Sequence, residues 1–234
     1  MADTVSYELR DRIAVIAMDD GKANALSFDA IAAINDGLDR AEADDAGAVL
    51  LHGRAGMFSG GFDLNVMRGG DATATLSLVT EGAELVLRLY RSARPIVAAC
   101  TGHAVAAGAF LLMGSHHRVG AEGDFRLVLI ETQIGMVLPD WAVELTKERL
   151  VGPHVQQAAI ESRVYGPAEA VEAGFLDTVV SADQVIDAAF AEAERLAALP
   201  AAAYAGNAAK VRADGIARLE QAISRDRRAI AGRD

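Results

Sequence analysis

Glu131 is a carboxylate within an apolar stretch of the chain, between LVLI at 127–130 and IGMVL at 134–138. Neighbours of this kind remove water from a carboxyl group, which raises its pKa and suits it to act as a general base near neutral pH. The same pattern also fits an outward-facing residue of an ordinary strand, and the residues alone leave both interpretations open. Glu131 is therefore a candidate base that needs a site around it.

A run of small residues marks a second candidate, a place where main-chain donors could bind a ligand oxygen. The uncharged stretch Pro95–His117 predicts a buried strand over Pro95–Cys100, a turn over 101–103 and a buried helix over Ala104–Met113. The start of that helix is rich in small residues, namely Ala104, Ala106, Ala107, Gly108 and Ala109. The first N–H groups of a helix lack internal partners, and small side chains would leave them open to an oxygen. Tight helix packing explains the small residues equally well.

The segment 54–70, RAGMFSGGFDLNVMRGG, is rich in glycine, which allows a close approach of the backbone to a ligand. It matches neither the P-loop nor the dinucleotide fingerprint, and the chain has no G-x-S-x-G elbow. A flexible surface loop is the alternative interpretation. The histidines and the single cysteine lack the spacing of a metal site, so we expect no metal.

Composition restricts the class of protein further. The chain has 234 residues, is 52% hydrophobic and carries a net charge of −11, which argues against nucleic acid as the main partner. A single cysteine, Cys100, excludes an intrachain disulfide framework. The first residues contain acidic side chains and no apolar core of a signal peptide, and no stretch suits a membrane span. We expect a cytoplasmic protein without membrane contacts.

The elements predicted around these candidates alternate between strand and helix. A hairpin over 5–18, a helix over 28–43 capped by Ser27 and a strand over 48–52 indicate a layered α/β fold. Helices follow over 75–91 and, after Asp140, along most of the chain to its end. We therefore divide the chain into a core over 1–181 and a C-terminal helical extension over 182–234.

Taken together, these segments resemble the crotonase family, also called the enoyl-CoA hydratase/isomerase family. The resemblance covers nearly the whole chain and is carried, in order, by KANALS at 22–27, MFSGGFDL at 57–64, ACTGHAVAAGAFLLMGSHHRV at 99–119, ETQIGMVLP at 131–139 and EAVEAGFLDTVV at 169–180. It implies a spiral of ββα repeats whose C-terminal helices build a trimer or a dimer of trimers. It also implies an acyl-CoA thioester as the substrate, with coenzyme A as part of that substrate rather than a separate cofactor, and a place in fatty-acid metabolism.

The resemblance assigns an oxyanion hole to two main-chain amides. The donors that bind the thioester oxygen in the family fall on Phe62 and Ala107 of this chain. Such donors stabilise the enolate that forms when a proton leaves the carbon beside the carbonyl. Phe62 replaces a residue that is usually small in the family, and its ring is expected to narrow the acyl channel.

Phe110 is the position that favours one reaction over another. Hydratases of the family carry a glutamate there and a second at the position of Glu131, and water addition uses both. With Phe110, only Glu131 remains to move protons, which is enough for a shift of the double bond from C3 to C2. The string ETQIG is also similar to the single-glutamate Δ3,Δ2-enoyl-CoA isomerases. We expect an enoyl-CoA isomerase, with a hydratase (a lyase) as one alternative and a thioesterase or a non-catalytic acyl-CoA binder as another.

The resemblance also assigns substrate contacts. Coenzyme A is expected along the backbone near Lys22, Ala23 and Ala25 and along the loop of Gly60, Gly61, Phe62, Asp63 and Leu64. Asp63 is interpreted as an acceptor that braces this loop rather than as a catalyst. The acyl pocket is expected to be lined by Phe110, Gly135, Leu138 and Trp141.

Overall fold

Nine strands occur in the part of the chain, residues 4–231, that the computed structural model describes. Their bounds are β1 (Val5–Arg10), β2 (Ile13–Met18), β3 (Ala48–His52), β4 (Gly56–Ser59), β5 (Ile96–Cys100), β6 (Gly102–Val105), β7 (His117–Ala121), β8 (Leu127–Val128) and β9 (Thr178–Val180). Residues 1–3 and 232–234 of the predicted core and extension lie outside the described part.

The same part of the chain forms nine helices. They are α1 (Phe28–Ala43), α2 (Leu64–Met67), α3 (Ala72–Tyr90), α4 (Ala107–Gly114), α5 (Asp140–Arg149), α6 (Pro153–Ala159), α7 (Pro167–Ala173), α8 (Val185–Ala197) and α9 (Ala201–Ala231). A short 3₁₀ turn covers Thr132–Ile134. Ser27 caps α1 as predicted, its side chain accepting from the N–H of Ala30.

The strands form two sheets that the chain enters alternately. The larger has six strands in the order β1-β2-β3-β5-β7-β9, and the smaller has three in the order β4-β6-β8. Apart from the antiparallel hairpin β1/β2, all neighbours are parallel. The pairs β3/β4, β5/β6 and β7/β8 each place one strand in each sheet, so every strand–strand unit advances both sheets by one position. This is the spiral of ββα repeats.

The inner strands β2, β3 and β5 of the larger sheet are buried on both faces, which is why they are almost wholly apolar, whereas the edge strand β1 is largely exposed. Alternate residues of β2 divide between the faces, with Ile16 packed in the core that holds α1, α3 and α4 and Val15 packed in the core that includes Val185 and Ala189 of α8. Helix α8 thus covers one face of this sheet, while α9 packs against α3 and α5. The division of the chain at residue 181 stays a prediction, and α8 packs on the core side of it.

The predicted turn over 101–103 and helix start at Ala104 are wrong. Residues 102–105 form β6, since Ala104 donates to the carbonyl oxygen of Arg126 at 3.0 Å and Ala106 to that of Val128 at 2.9 Å. The helix begins only at Ala107. Alanine favours helix locally, but partners more than twenty residues further along the chain provide a ladder that overrides this weak preference.

The glycine-rich segment is also more ordered than a surface loop. It contains β4, which pairs with β6, and the short helix α2. Asp63 caps α2 by accepting from the N–H of Asn65 at 2.8 Å, which is the bracing contact expected of it. The alternative of a flexible loop is therefore wrong for this segment.

Candidate active site

The three candidate positions for chemistry follow the carboxyl ends of the three strands of the smaller sheet. Phe62 comes shortly after β4, Ala107 shortly after β6 and Glu131 shortly after β8. Because these strands are parallel neighbours, their carboxyl ends lie along one edge of the sheet. Open parallel sheets bind ligands at this edge.

A cavity of about 110 Å³ lies at this edge. It brings together seven of the predicted site residues, namely Gly60, Phe62, Leu64, Ala107, Phe110, Glu131 and Trp141. Its other lining residues are apolar or small, and Glu131 is the single ionisable side chain among the described residues that line it. The site is thus a small apolar chamber with one carboxyl group.

The N–H of Ala107 is the first amide of α4. Ala106, just before it, has φ of 51° and ψ of −124°, a conformation that is unusual for a residue with a side chain and that recurs at functional sites. The N–H of Ala106 is bonded to Val128, and its carbonyl oxygen accepts from Ala109. Within residues 4–231, no acceptor faces the N–H of Ala107. That amide is available to a ligand.

The N–H of Phe62 is left open by the way its loop pairs. Leu26 donates to the carbonyl oxygen of Gly61 at 2.8 Å and accepts from the N–H of Asp63 at 3.2 Å. In such a parallel bridge the N–H and C=O of the residue between, Phe62, point away from Leu26. No other described residue accepts from the N–H of Phe62.

Glycines hold the two amides close together. A Cβ added at Gly61 would lie 3.3 Å from the amide nitrogen of Ala107 and 3.0 Å from the carbonyl oxygen of Val105. A Cβ at Gly108 would lie only 2.2 Å from the carbonyl oxygen of Ser59. The backbone just before Phe62 therefore rests directly on the start of α4, a contact that needs glycine on both sides.

Glu131 precedes the 3₁₀ turn and points its carboxyl group inward. The Oε2 atom is buried and has no hydrogen-bond partner among the described residues. Burial raises the pKa of Glu131 above its ordinary value. The alternative interpretation, an outward residue of a strand, is wrong: Glu131 lies in the turn after β8 rather than in a strand, and its buried carboxyl group lines the cavity.

Phe110 and Trp141 form an aromatic wall of the cavity. Their rings lie 5.1 Å apart at 67°, an edge-to-face arrangement, and both side chains are buried. The main-chain N–H of Trp141 donates to Asp226 of α9 at 3.1 Å, which ties the C-terminal helix to this wall. No carboxylate stands at position 110, so Glu131 has no acidic neighbour across the cavity.

Besides Gly61, six predicted contacts lie outside the lining of the cavity. Lys22, Ala25 and Asp63 line a separate cleft of about 220 Å³. Gly135 and Leu138 line a neighbouring groove of about 740 Å³ rather than the cavity. Gly135 ends the 3₁₀ turn in the left-handed conformation, with φ of 75°, and Met136 and Val137 after it line both the groove and the cavity. Ala23 accepts from the N–H of Gly60 at 2.7 Å and so holds the loop.

Sequence reasoning missed Asn24, which ties the loops of the site together. This buried side chain donates to the carbonyl oxygens of Met18 at 2.9 Å and Phe58 at 3.2 Å. The main-chain carbonyl oxygen of Asn24 accepts from the hydroxyl of Ser59 at 2.8 Å. The sequence signal that could have revealed this role is an asparagine within a polar turn. Asparagine tolerates positive φ, and Asn24 has φ of 48°.

Comparison with known proteins identifies the family. The family model for enoyl-CoA hydratase/isomerase matches residues 8–231. This chain therefore belongs to the enoyl-CoA hydratase/isomerase family, and both the predicted resemblance and the predicted α/β spiral are confirmed.

Named relatives include both activities of the family. A crystal structure of a probable enoyl-CoA hydratase of Mycobacterium tuberculosis is 39% identical with a TM-score of 0.92, covering 95% of this chain and 94% of that one. A second structure of that same Mycobacterium tuberculosis protein, in which it is called an enoyl-CoA isomerase, is 38% identical with a TM-score of 0.91, covering 99% of each chain. The human mitochondrial enoyl-CoA delta isomerase 1 is 30% identical over 192 residues, which is 80% of this chain and 63% of that protein. The chain spans less than two thirds of the length of such curated relatives.

Two features that are typical of other classes of protein do not occur among the described residues. None of the helices within 4–231 combines the length and apolar character of a membrane span. The same residues contain no cluster of three or more His, Cys, Asp or Glu side chains suited to a metal ion. The absence of a metal and of a separate cofactor stays a prediction.

Proposed function

We propose that this protein is an enoyl-CoA isomerase that converts a 3-enoyl-CoA into the 2-enoyl-CoA with Glu131 as its single base. The observation that carries the proposal is the chemistry of the cavity: one ionisable side chain, Glu131, faces an apolar wall at Phe110. A proton shift needs one group that can both take and return a proton. Water addition in this family is expected to need a second carboxylate.

The reaction proceeds with the thioester oxygen between the N–H groups of Phe62 and Ala107. The carboxylate of Glu131 takes a proton from C2, and the electrons of that C–H bond move into the thioester, which gives a dienolate with its negative charge on the oxygen. The two amides stabilise that charge, since such donors contribute most at the enolate stage. Glu131 then returns the proton to C4, and the double bond lies between C2 and C3.

The raised pKa of Glu131 suits a general base that removes a proton from C2. A carboxylate with a higher pKa is a stronger base toward a weakly acidic C–H bond, and the charged form is present once the pH exceeds that pKa. The other side chains that line the cavity are apolar, so none of them competes with Glu131 for the proton. Burial therefore supplies the basicity of Glu131.

Coenzyme A is proposed to lie outside the cavity, along the cleft of Lys22, Ala25 and Asp63, with the Gly60 loop between it and the thioester. It enters as part of the substrate, and no further cofactor is needed for a proton shift. Assembly into a trimer or a dimer of trimers and a cytoplasmic location remain part of the same proposal.

The test is to measure isomerisation of 3-hexenoyl-CoA and hydration of 2-hexenoyl-CoA for the wild type and for Glu131→Gln. We expect isomerisation to dominate in the wild type and to fall by about 10²–10⁴ in the variant, the usual contribution of a general base. The matched control is Glu122→Gln, because Glu122 is exposed and lies outside the cavity.

Four results would contradict the proposal. Hydration as fast as isomerisation in the wild type would favour the hydratase. Release of free coenzyme A thiol from either substrate would favour a thioesterase. Binding without turnover would leave an acyl-CoA binder, and unchanged isomerisation in Glu131→Gln would remove Glu131 from the mechanism.

A further inference from the structure

Gly82 is a glycine inside the long helix α3, with helical backbone and buried surroundings. Glycine within a helix is less favourable than alanine by about 0.5–1 kcal/mol, so its presence there calls for a reason in packing. The nearest atoms to a Cβ added at Gly82 all belong to the ring of Phe62, at 2.4 Å for Cε1 and 2.6 Å for Cζ. The edge of the Phe62 ring occupies the space that a side chain at position 82 would fill.

The backbone of Phe62 cannot move aside to relieve such a contact. The residues around it are held by the bond from Leu26 to Gly61 at 2.8 Å and from Gly60 to Ala23 at 2.7 Å. The ring lines the cavity of Glu131 as well as touching α3. It therefore lies between a fixed helix and an open chamber.

Helix α3 is also fixed. It packs on α1, α4 and α9, and its residues Leu78, Ala83 and Leu85 are buried. Carbon atoms in contact lie about 3.5–4.0 Å apart, so a methyl group at Gly82 would require the ring to move by about 1 Å or more. The chamber is the side with room for that movement.

The chamber is small enough for such a movement to matter. Its volume of about 110 Å³ is less than the roughly 150 Å³ of an engineered cavity that binds benzene. One methylene more or less in an apolar pocket changes binding by about 10–200-fold. A ring displaced into this space would occupy the position of the first carbons of an acyl chain.

We propose that Gly82 is a positioning residue that sets the depth of the acyl pocket, because it lets the ring of Phe62 withdraw against α3. The inference rests on the proposed function, in that an acyl-CoA occupies this cavity. It makes the pair of residues 62 and 82, rather than Phe62 alone, the determinant of how much room the first carbons of the acyl chain have beside Glu131.

The test is to measure the affinities of acetyl-CoA and butyryl-CoA by calorimetry, which needs no turnover. The ratio of the two affinities isolates the acyl pocket, since the coenzyme A part is common to both. We expect butyryl-CoA to bind more tightly to the wild type, and this preference to fall by about tenfold in Gly82→Ala. The double variant Phe62→Leu/Gly82→Ala is expected to restore the preference, because leucine leaves room for the methyl group.

The matched control is Gly206→Ala, which makes the same change in helix α9 where a Cβ would meet nothing within 4 Å. The ratio of the affinities for butyryl-CoA and acetyl-CoA should stay at the wild-type value in this variant. Equal weakening of both thioesters in Gly82→Ala, or no recovery in the double variant, would overturn the inference and leave the proposed function standing. A wild type that binds neither thioester would overturn both.

Discussion

The larger and the smaller sheet of this protein differ in what they carry. The six-stranded sheet is covered on both faces by helices and contributes mainly buried apolar side chains. The three-stranded sheet is short, yet the loops after its strands hold Phe62, Ala107 and Glu131. The comparison indicates that stability and chemistry are separated in space, the first resting on β2, β3 and β5 and the second on the edge of β4, β6 and β8.

Gly61→Ala is the change that we expect to affect the chemistry at the edge of the smaller sheet most strongly. The added methyl group would lie 3.3 Å from the amide nitrogen of Ala107, where it would cover the N–H. Loss of one oxyanion donor costs about 10²–10³ in rate, and we expect a loss of that size in kcat for isomerisation.

Gly56→Ala is the control for backbone strain. Gly56 has φ of 81°, close to the 95° of Gly61, but a Cβ there would meet nothing within 4 Å. Both variants carry the strain of a side chain at positive φ, and only Gly61→Ala covers the amide. Equal rate losses in the two variants would show that strain, not access to the amide, causes the effect.

Leu50→Ala tests the other half of the comparison. Leu50 is fully buried in β3 of the larger sheet. Removing such a side chain destabilises a protein by about 2–5 kcal/mol, which denaturant titration would measure as a lower free energy of unfolding. The rate of isomerisation per folded molecule is expected to stay near that of the wild type. A selective loss of rate without a loss of stability would contradict the separation.

The strands of the two sheets differ in how well they could be predicted from the sequence. Strands β2, β3 and β5 follow from apolar runs, and α1 follows from its spacing and the Ser27 cap. Strand β6 was predicted as a turn and the start of a helix, because GHAV pairs only with residues distant in the chain. The short strands of the smaller sheet carry too few residues for a pattern of their own.

The smallest expected effect concerns the stability of Glu131→Gln at different pH values. The pKa of Glu131 is raised in the folded protein, so folding favours its neutral form. Below the ordinary pKa of glutamate the carboxyl group is neutral in both states, and the variant should unfold at the same temperature as the wild type. As pH rises through the raised pKa, the wild type must bury a charge and glutamine need not.

We therefore expect the variant to have the higher Tm at neutral pH and an equal Tm at low pH, measured by thermal unfolding across a pH series. Glu122→Gln again serves as the exposed control and should show no such divergence. A lower Tm for Glu131→Gln at neutral pH would mean that the carboxylate has stabilising partners, which would contradict its role as an uncompensated base.

The layered α/β pattern, the family resemblance and Glu131 as the candidate carboxylate can all be predicted from the amino-acid sequence. These follow from local properties: the spacing of apolar residues, helix caps and the short motifs that carry the resemblance. Three features became apparent only in the folded structure. Ala107 is the first amide of its helix, and the ring of Phe62 rests on Gly82. Gly135 and Leu138 line a neighbouring groove. Each of these features depends on a hydrogen bond or a steric contact between residues that the fold brings together, so local sequence preferences cannot predict it.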